Sequence, residues 1–466
     1  MNQTTHASLL LTDLYEITMA AAFFESGFHP LASFELFVRR LPAQRSYLVA
    51  AGLEQALDFL ESARFSSREI DLLRTHPSFK HVSPAFFDYL GQLRFTGEVW
   101  AVPEGTPVFG LEPLLRVTAP MIEAQLVETF LLTTITFQTS IASKAARIVD
   151  AAQGQRVVEF GARRAHGPEA GILAARAAYL SGFAGTSNVE AGFCFGIPTA
   201  GTIAHSYVMA MPDELEAFRR YSRIFPETSV LLVDTYDTLA AVDKIIAAGL
   251  RPQGIRLDSG NLVELSQKAR VRLDSAGLTD TRIFASGDLD EMTIAELIRN
   301  GAAIDAFGVG TALATSSDAP ALGGVYKLVE VKEGSQKSYL AKFSPDKTTH
   351  PGTKQIFRFS GGDGQYRRDL IACAGEKYSD AEPLLTCVMK DGKRTEASPS
   401  LEKIRERSRR ELARLPRRYR ELGSQDAYPV EFSGELERLL ERVRIQVMPG
   451  ADSAENLLTT KGTKAH

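Results

Sequence analysis

The sequence predicts a mixed α/β fold in which an irregular (β/α)8-like barrel is joined to an additional α+β, sandwich-like domain. Three observations lead to this prediction. The chain has 466 residues, 44% of them hydrophobic, which exceeds the size of one small domain and is enough to fill a large core. Between residues 121 and 331, short apolar runs alternate with helix-like segments, a pattern typical of parallel strands. Polar and glycine-rich motifs follow these runs, at the places where an α/β barrel builds its active site.

Residues 1–120 are predicted to form the N-terminal α+β domain. Thr12 is placed to cap a helix that Gly27 ends, and the apolar positions between them recur with helical spacing. Residues 33–39 have the composition of a strand. Residues 97–118 then divide into three short strand-like pieces separated by proline and glycine, which indicates a compact antiparallel sheet.

Residues 121–331 are predicted to form the irregular barrel that carries the active site. A buried helical pattern opens the segment, and about eight strand–helix units would then close a barrel. The segment is shorter than the roughly 250 residues of a complete barrel, so we expect an irregular one. An open, doubly wound sheet would also place ligands at the carboxyl ends of its strands and stays an alternative. The expected strands end near Phe160, Ala184, Ile203, Asp234, Leu257, Ala285 and Val309, and residues 325–331 are expected to form the last strand.

Residues 332–449 are more polar and are predicted to return to the N-terminal domain. A turn leads into a strand at residues 350–359, and residues 401–412 and 435–443 have charged helical patterns. Residues 450–466 are small and polar, and we expect them to be a disordered tail.

The composition argues against several classes of partner. The chain has 53 basic and 57 acidic residues and a net charge of -4, so no overall field draws it to nucleic acid or to an anionic membrane. Cys194, Cys373 and Cys387 form neither a CxxC pair nor a zinc-spaced cluster, which favours a reducing compartment and no structural metal. No window reaches the ~18 apolar residues of a membrane span, and the N-terminus lacks signal-peptide features. We therefore expect a cytoplasmic protein.

Residues 197–210 contain the residue that we expect to react. We interpret the apolar start of this segment as a buried strand that delivers His205 to its polar end. A carboxylate on one ring nitrogen would fix the tautomer and make the other nitrogen more nucleophilic, so that it accepts a proton or a phosphoryl group. The alternative is a hydrogen-bonded histidine that only closes the strand. The carboxylates expected at the same rim are Glu190, Asp234, Asp237 and Asp258, of which Asp234 and Asp258 are the catalytic candidates together with His205.

Three arginines and two glycine-containing loops are candidates for binding anions. Arg256 lies two residues before Asp258, and its planar guanidinium suits a carboxylate or a phosphate. Arg163 and Arg164 directly follow a strand end. Each loop contains glycine and a hydroxyl residue at the end of a strand, where backbone N–H groups can bind phosphate. Many loops with this composition are only turns. The loops are Ser286-Gly287-Asp288 and Gly308-Val309-Gly310-Thr311.

Eight motifs in this order resemble the nicotinate phosphoribosyltransferase family: TDLYEITMA, EFGARRAHGPEA, GTIAHSYVMA, DTYDT, RLDSGNL, ASGDLDE, AFGVGT and HPGTKQ. The resemblance spans residues 12–355 and weakens after residue 360. It implies an irregular α/β barrel fused to a sandwich-like domain, in a homodimer whose active sites combine both subunits. The implied reaction converts nicotinate and 5-phosphoribosyl 1-diphosphate to nicotinate mononucleotide and diphosphate, coupled to ATP hydrolysis, in NAD salvage. Magnesium is expected to accompany the diphosphate, held by few protein ligands.

The resemblance also implies roles for individual residues. His205 resembles the family's phosphorylated histidine, and Thr202 lies in the same loop near the substrate. Arg256 resembles the arginine near the pyridine ring, and Asp258 resembles the acid that faces the ribose. Tyr15 from the partner subunit and Phe160 resemble the aromatic residues that sandwich the ring, although on frequency alone each would be a core residue. The resemblance assigns the phosphate contacts to Arg163, Ser286, Gly287, Gly308, Gly310 and Thr311.

Two other readings of the sequence stay open. The nearest enzymes are nicotinamide phosphoribosyltransferase and, more distantly, the quinolinate enzyme, which differ in the pyridine they accept. A non-catalytic nucleotide-binding protein could also be built on the same barrel. Such a protein would not need His205 or Asp258, and both residues are present.

Overall fold

The structure is a computed structural model that describes residues 8–344, 347–424 and 426–448. The tail expected at residues 450–466 lies outside the described residues. The strands are β1 Leu31–Val38, β2 Leu48–Val49, β3 Glu98–Ala101, β4 Pro107–Val108, β5 Pro113–Pro120, β6 Arg156–Glu159, β7 Gly185–Thr186, β8 Val230–Leu232, β9 Gly254–Leu257, β10 Arg282–Ala285, β11 Ala306–Val309, β12 Gly324–Glu333, β13 Gln336–Tyr339, β14 Lys354–Ser360, β15 Tyr366–Cys373, β16 Ala381–Pro383, β17 Thr386–Lys390, β18 Lys393–Arg394 and β19 Val430–Phe432. The α-helices are α1 Leu14–Glu25, α2 Leu53–Ser62, α3 Ser67–Thr75, α4 Pro84–Gln92, α5 Met121–Leu126, α6 Glu128–Ala151, α7 Pro168–Leu180, α8 Val189–Phe195, α9 His205–Met209, α10 Glu214–Ile224, α11 Thr238–Ala247, α12 Leu262–Ser275, α13 Glu291–Arg299, α14 Thr311–Ala314, α15 Leu401–Arg414 and α16 Gly434–Val447.

The N-cap residue of the first helix lies one position later than expected. Asp13 is the N-cap residue of α1, and the hydroxyl of Thr12 instead donates a hydrogen bond to the carboxylate of Glu16. Glu16 is fully buried and also accepts a hydrogen bond from Thr129 of α6. The polar end of α1 is thus tied to the long helix that follows the first sheet.

Strands from both ends of the chain form one seven-stranded sheet in the order β13-β12-β1-β5-β3-β17-β18. β1 lies antiparallel to both β5 and β12, and seven of its eight residues are buried. The buried Glu35 of β1 is neutralised by Lys354, whose Nζ lies 2.8 Å from the carboxylate. Because β17 pairs with β3, residues beyond 332 contribute strands to the sheet that residues 31–120 begin.

A second sheet contains six parallel strands in the order β7-β6-β11-β10-β9-β8. The mixed α/β class is therefore confirmed, but the described residues form an open parallel sheet and not a complete barrel of eight strand–helix units. The expectation that residues 325–331 form the last barrel strand is wrong. This segment is part of β12, which pairs antiparallel with β1 in the other sheet.

The strand expected to end near Ile203 is also absent, since residues 197–204 are irregular apart from one isolated bridge between Thr199 and Thr186. The segment crosses the end of β7 closely, and the backbone N–H of Thr186 donates to the carbonyl of Pro198. A Cβ atom on Gly185 would lie 2.4 Å from that carbonyl oxygen, so glycine allows this approach. The segment is too exposed to be a core strand.

Helix α6 lies between the two sheets and is the longest helix of the described chain, with 24 residues. It packs against α7, α13 and α14 on the side of the parallel sheet and against α2 and β12 on the other side. Its buried residues include the charged Lys144 and Arg147. This helix therefore carries contacts from one half of the molecule to the other.

The C-terminal residues add a four-stranded sheet in the order β16-β14-β15-β19. Arg358 and Asp369, both fully buried, form an ion pair of 2.5 Å across β14 and β15. Helix α16 packs on β15, and α15 packs on α7 beside the parallel sheet. Within the described ranges, no helix is both long enough and apolar enough to cross a membrane.

Candidate active site at the carboxyl end of the parallel sheet

The candidate residues converge because neighbouring parallel strands end at the same edge of the sheet. In the register of β9 and β10, Leu257 lies opposite Ala285, which places Asp258 beside Ser286. In the same way β8 pairs with β9 so that the turn after β8 reaches Asp258. Buried apolar runs form these short strands, and the first polar residue after each run faces the same space.

Arg256 is the centre of the site and bonds to three side chains from different loops. Its Nε donates to Ser286 Oγ at 2.7 Å, and its two Nη atoms donate to Thr202 Oγ1 at 2.9 Å and to Asp258 Oδ1 at 2.6 Å. The side chain is 15% exposed. A planar guanidinium is needed for these three directions, and two of its five N–H groups are left for a ligand.

Asp258 is held as a carboxylate. It accepts hydrogen bonds from Arg256 and Ser286, and its side chain is 29% exposed. Burial alone would raise the pKa of Asp258, but the hydrogen bond from Ser286 and the charge of Arg256 outweigh it and keep the pKa below its ordinary value. A permanent negative charge therefore faces the opening of the site.

Asp234 supports the turn that carries Asp258. Its Oδ2 accepts hydrogen bonds from the backbone N–H of Asp258 at 3.1 Å and from Ser259 Oγ at 2.6 Å. Its other oxygen, Oδ1, is buried without a hydrogen-bond partner among the described residues. One oxygen of this carboxylate thus supports the turn, and the other is buried and unpaired within the described residues.

His205 lies at the edge of this cluster, but it is not the end of a buried strand as expected. It is the first residue of the short helix α9, and 44% of its side chain is exposed. Its Nδ1 lies 3.2 Å from Thr235 Oγ1, and its Nε2 lies 4.0 Å from Asp258 Oδ2. Sequence reasoning missed Thr235, although its position directly after Asp234 in DTYDT was a usable signal.

Phe160 forms one wall of the site by packing on a glycine. A Cβ atom on Gly308 would lie 2.5 Å from the Phe160 ring, so only glycine leaves room for the ring at this place. The guanidinium carbon of Arg256 lies 5.7 Å from the centroid of the same ring. A flat aromatic ligand that stacks on Phe160 would therefore lie within reach of Arg256.

The two glycine loops lie beside these residues. Gly287 has φ +91°, and a Cβ atom there would lie 2.1 Å from the backbone oxygen of Asp258. Gly310 precedes α14, which begins at Thr311, and a Cβ atom on Gly310 would lie 3.3 Å from the Phe160 oxygen. Both loops therefore bring the backbone close to the centre of the site.

Glu159 lies under the loop after β6 and received no role from the sequence. It is fully buried and accepts hydrogen bonds from the backbone N–H of Gly161 and from Thr186 Oγ1. Burial raises its pKa. This carboxyl group joins the turn after β6 to β7, and thereby fixes the backbone that carries Phe160.

Several expected site residues lie outside this cluster. Arg163 and Arg164 are in a single 3-10 turn after β6, and their exposed side chains have no hydrogen bond or ion pair within the described ranges. Asp237 caps α11 by accepting from the backbone N–H of Ala240, which is a structural role. Glu190 is exposed in α8 and accepts a long hydrogen bond from Cys194.

Tyr15 lies in α1, in the other half of the molecule. It is 47% exposed and bonds to Glu128 at the start of α6. Burial and the charge of Glu128 raise the pKa of the Tyr15 phenol to about 12. Within one chain, Tyr15 is thus not part of the His205 cluster.

Comparison with known proteins gives consistent results over nearly the whole chain. Residues 10–136 match the nicotinate phosphoribosyltransferase N-terminal domain, and residues 377–440 match the C-terminal domain of the same family. Residues 141–319, which contain the parallel sheet, match the quinolinate phosphoribosyl transferase C-terminal domain. These matches define a phosphoribosyltransferase fold.

The similar proteins narrow this class. A nicotinate phosphoribosyltransferase of Mycobacterium tuberculosis is 46% identical, covering 96% of this chain and 97% of its own length. One from Bacillus subtilis is 40% identical, with 91% and 92% covered. The crystal structure of human nicotinic acid phosphoribosyltransferase aligns with a TM-score of 0.82 at 31% identity, covering 93% of this chain and 99% of that one. The chain therefore belongs to the nicotinate phosphoribosyltransferase family.

Proposed function

We propose that this protein transfers a phosphoribosyl group from 5-phosphoribosyl 1-diphosphate to nicotinate, giving nicotinate mononucleotide and diphosphate for NAD salvage. The proposal includes coupled ATP hydrolysis through phosphorylation of His205. The observation that carries it is the cluster of Arg256, Asp258, Ser286 and Thr202, with His205 4.0 Å from Asp258. Relatives named for this activity support it.

The cluster suits a reaction with a positively charged transition state. The pyridine nitrogen of nicotinate forms a bond to C1 of the ribose while the bond from C1 to the diphosphate oxygen breaks. Positive charge develops on the ribose, and the ionised Asp258 is placed to face it. Phe160 would stack on the pyridine ring, and Arg256 would bind at the ring's edge, so both hold the nitrogen in line with C1.

The two glycine loops and Arg163 are proposed to bind the phosphate groups. Gly287 and Gly308 let the backbone approach the site closely, since a side chain at Gly287 would collide with Asp258 and one at Gly308 with Phe160, and Gly310 leaves only 3.3 Å between a Cβ atom and the Phe160 oxygen. Ser286 and Thr311 add hydroxyl groups at the strand ends. Arg163 is exposed beside β6 without a carboxylate partner in the described chain, so its charge is available for a phosphate.

His205 is proposed as the phosphoryl acceptor. In the tautomer with its proton on Nδ1, His205 donates a hydrogen bond to Thr235 Oγ1. The lone pair of Nε2 is then free to attack. The bond from ADP to the terminal phosphoryl group of ATP breaks as the bond from Nε2 to phosphorus forms, and water later releases phosphate. Phosphorylation would add negative charge at Nε2, which lies 4.0 Å from Asp258 Oδ2, so it can change how the site binds the diphosphate.

Magnesium fits the available donors without a dedicated protein site. Carboxylate oxygens are its preferred ligands, and the buried Oδ1 of Asp234 has no hydrogen-bond partner within the described residues. The described residues contain no group of three or more histidine, cysteine or acidic side chains arranged for a metal. Bound magnesium would neutralise the diphosphate, with Asp234 and Asp258 holding it and substrate oxygens supplying the remaining ligands.

A homodimer with shared active sites is the proposed assembly. The exposed face of α1 carries Leu14, Tyr15 and Met19, and Leu11 lies just before the helix; each of the four is at least 42% exposed. Beside the His205 site, Phe193, Met209 and Tyr236 are 80%, 64% and 68% exposed. Large exposed apolar groups are typical of an interface, and joining these two faces would bring Tyr15 of one subunit to the site of the other.

Measuring diphosphate release with and without ATP tests the proposed function. Wild-type protein should release diphosphate with nicotinate, and ATP should stimulate the release and be hydrolysed with it. His205→Asn should lose ATPase activity and acid-labile phosphorylation but keep some ATP-independent transfer, while His81→Asn, at an exposed histidine of the first domain, should behave as wild type. Full ATP stimulation in His205→Asn would refute the phosphohistidine.

The match of residues 141–319 to the quinolinate family keeps quinolinate as a second candidate substrate. Nicotinate, nicotinamide and quinolinate differ in the charge of the ring substituents that Arg256 would bind. The product formed from a mixture of them decides between these enzymes.

A further inference from the structure

Beneath the proposed phosphate loops, a cluster of charged residues is buried between α6 and the segments that follow β10 and α14. Lys144 is 2% exposed, and its Nζ lies 2.6 Å from Glu291 Oε2 and 3.0 Å from Asp318 Oδ1. Arg147 pairs with Glu291 at 3.1 Å, and Arg45 pairs with Asp318 at 2.8 Å. Removing charged groups from water costs free energy, so stability alone does not explain a buried cluster of this kind.

Each carboxylate of this cluster is connected to one of the two glycine loops. Glu291 is the first residue of α13 and follows the loop that begins at Ser286 and Gly287. Asp318 follows α14, whose first residue is Thr311, directly after Gly310. Lys144 therefore links Glu291 and Asp318, the two carboxylates that follow the two glycine loops.

The segment that carries Asp318 is held in one conformation. Ser316 has φ +45°, in the left-handed region, and its hydroxyl accepts from Arg45 at 2.5 Å and from Ser140 at 2.8 Å. The hydrogen bond and charge of Arg45, with the charge of Lys144, keep the pKa of Asp318 far below its ordinary value despite burial. Asp318 therefore stays ionised at neutral pH.

We propose that Lys144 is a positioning residue that holds the Ser286–Gly287 and Gly310–Thr311 loops at the spacing needed to bind the phosphate groups of 5-phosphoribosyl 1-diphosphate. This inference rests on the proposed function, which assigns those loops to phosphate. Lys144 itself lies beneath the loops and does not touch the ligand. Its loss should shift the backbone of the loops, and a displacement of about 1 Å can reduce the rate of a positioned reaction by about 100-fold.

The test compares Lys144→Met with Arg358→Met. Arg358 is an equally buried cation in an ion pair, but it lies in the four-stranded sheet. Both variants should unfold at a lower temperature than wild type. Only Lys144→Met should raise KM for 5-phosphoribosyl 1-diphosphate, lowering kcat/KM for it by about 10- to 100-fold, with a much smaller change in KM for nicotinate.

Calorimetric titration with inorganic diphosphate gives a reading that is independent of turnover, and Lys144→Met should bind it more weakly than wild type does. Should Lys144→Met fail to fold, Glu291→Gln keeps the shape of the side chain and should raise the same KM. A folded variant with unchanged KM and unchanged diphosphate binding overturns the inference, as does an equal effect of Arg358→Met. Absence of diphosphate release by wild-type protein would instead refute the proposed function.

Discussion

Arg256→Lys separates the two things that this arginine can do, which are to orient the substrate ring and to recognise its carboxylate. The lysine keeps one positive charge near Asp258. It lacks the planar fork, so it cannot also bond to Ser286 and Thr202, which now receive hydrogen bonds of 2.7 and 2.9 Å.

The structure sets the expected size of the effect. The two guanidinium N–H groups that Ser286, Thr202 and Asp258 leave free would bond to the carboxylate of nicotinate. Losing these two charged hydrogen bonds of about 1.5 kcal/mol each costs about 3 kcal/mol together. This loss corresponds to about a 150-fold decrease in kcat/KM for nicotinate. Nicotinamide has no carboxylate to pair with the guanidinium, so it should lose less, and the preference for nicotinate should fall at least about tenfold.

The assay is the ratio of kcat/KM for nicotinate to that for nicotinamide, measured in wild type, in Arg256→Lys and in Arg251→Lys. Arg251 is exposed before the opposite end of β9 and serves as the control, with no change expected. An unchanged ratio in Arg256→Lys, with both substrates impaired equally, would mean that Arg256 only orients the ring. Selectivity for the acid would then lie elsewhere in the site, and the role assigned to the guanidinium would be wrong.

Three further predictions concern a loop, the assembly and pH. Gly287→Ala should abolish phosphoribosyl transfer, because the new Cβ would lie 2.1 Å from the backbone oxygen of Asp258. The control is Gly277→Ala, which is also at positive φ but has no atom within 4 Å, and it should lower only the midpoint of thermal unfolding. An active Gly287→Ala protein would contradict the close approach of the two backbones. Mixing Tyr15→Ala subunits with His205→Ala subunits should restore part of the ATP-stimulated activity that each variant has lost, since one composite site would be intact. No recovery after demonstrated subunit exchange would mean that each site is built within one chain. Burial raises the pKa of Glu128 to about 7, so the folded state binds its proton more tightly than the unfolded state, and the free energy of unfolding should fall as pH rises through neutrality. Glu128→Gln should remove that fall, and identical pH profiles of thermal unfolding would contradict the burial of this carboxyl group.

The strands of the parallel sheet were predictable because local sequence determines them. The strands β6, β9, β10 and β11 end at Glu159, Leu257, Ala285 and Val309, and each end is followed by glycine or polar residues within a few positions. Those ends correctly placed the polar motifs at the edge of the sheet. The convergence of Asp258 with Ser286 depends on β9 pairing with β10, and strand order is a long-range property that local pattern does not supply.

The wrong strand predictions also arise from long-range contacts that local sequence does not determine. β12 has the apolar composition of a strand, but only its long-range pairing with β1 decides which sheet it joins. Residues 197–204 are apolar enough to suggest a strand, but their backbone crosses the end of β7, where Gly185 leaves room for it. His205 therefore begins a helix and is more exposed than expected. Thr235 and Glu159 were missed because their roles arise from contacts with other loops.

The central claim is that the cluster around Arg256 and Asp258 transfers phosphoribose to nicotinate. The most direct measurement supplies wild-type protein with 5-phosphoribosyl 1-diphosphate, magnesium, ATP and equal amounts of three pyridines. Nicotinate is deuterated on the ring, whereas nicotinamide and quinolinate are unlabelled. Mass spectrometry then identifies the mononucleotide that is formed. The account predicts deuterated nicotinate mononucleotide as the main product, with one diphosphate released per molecule formed. Predominant nicotinamide mononucleotide, an undeuterated product from quinolinate, or no diphosphate release would contradict it.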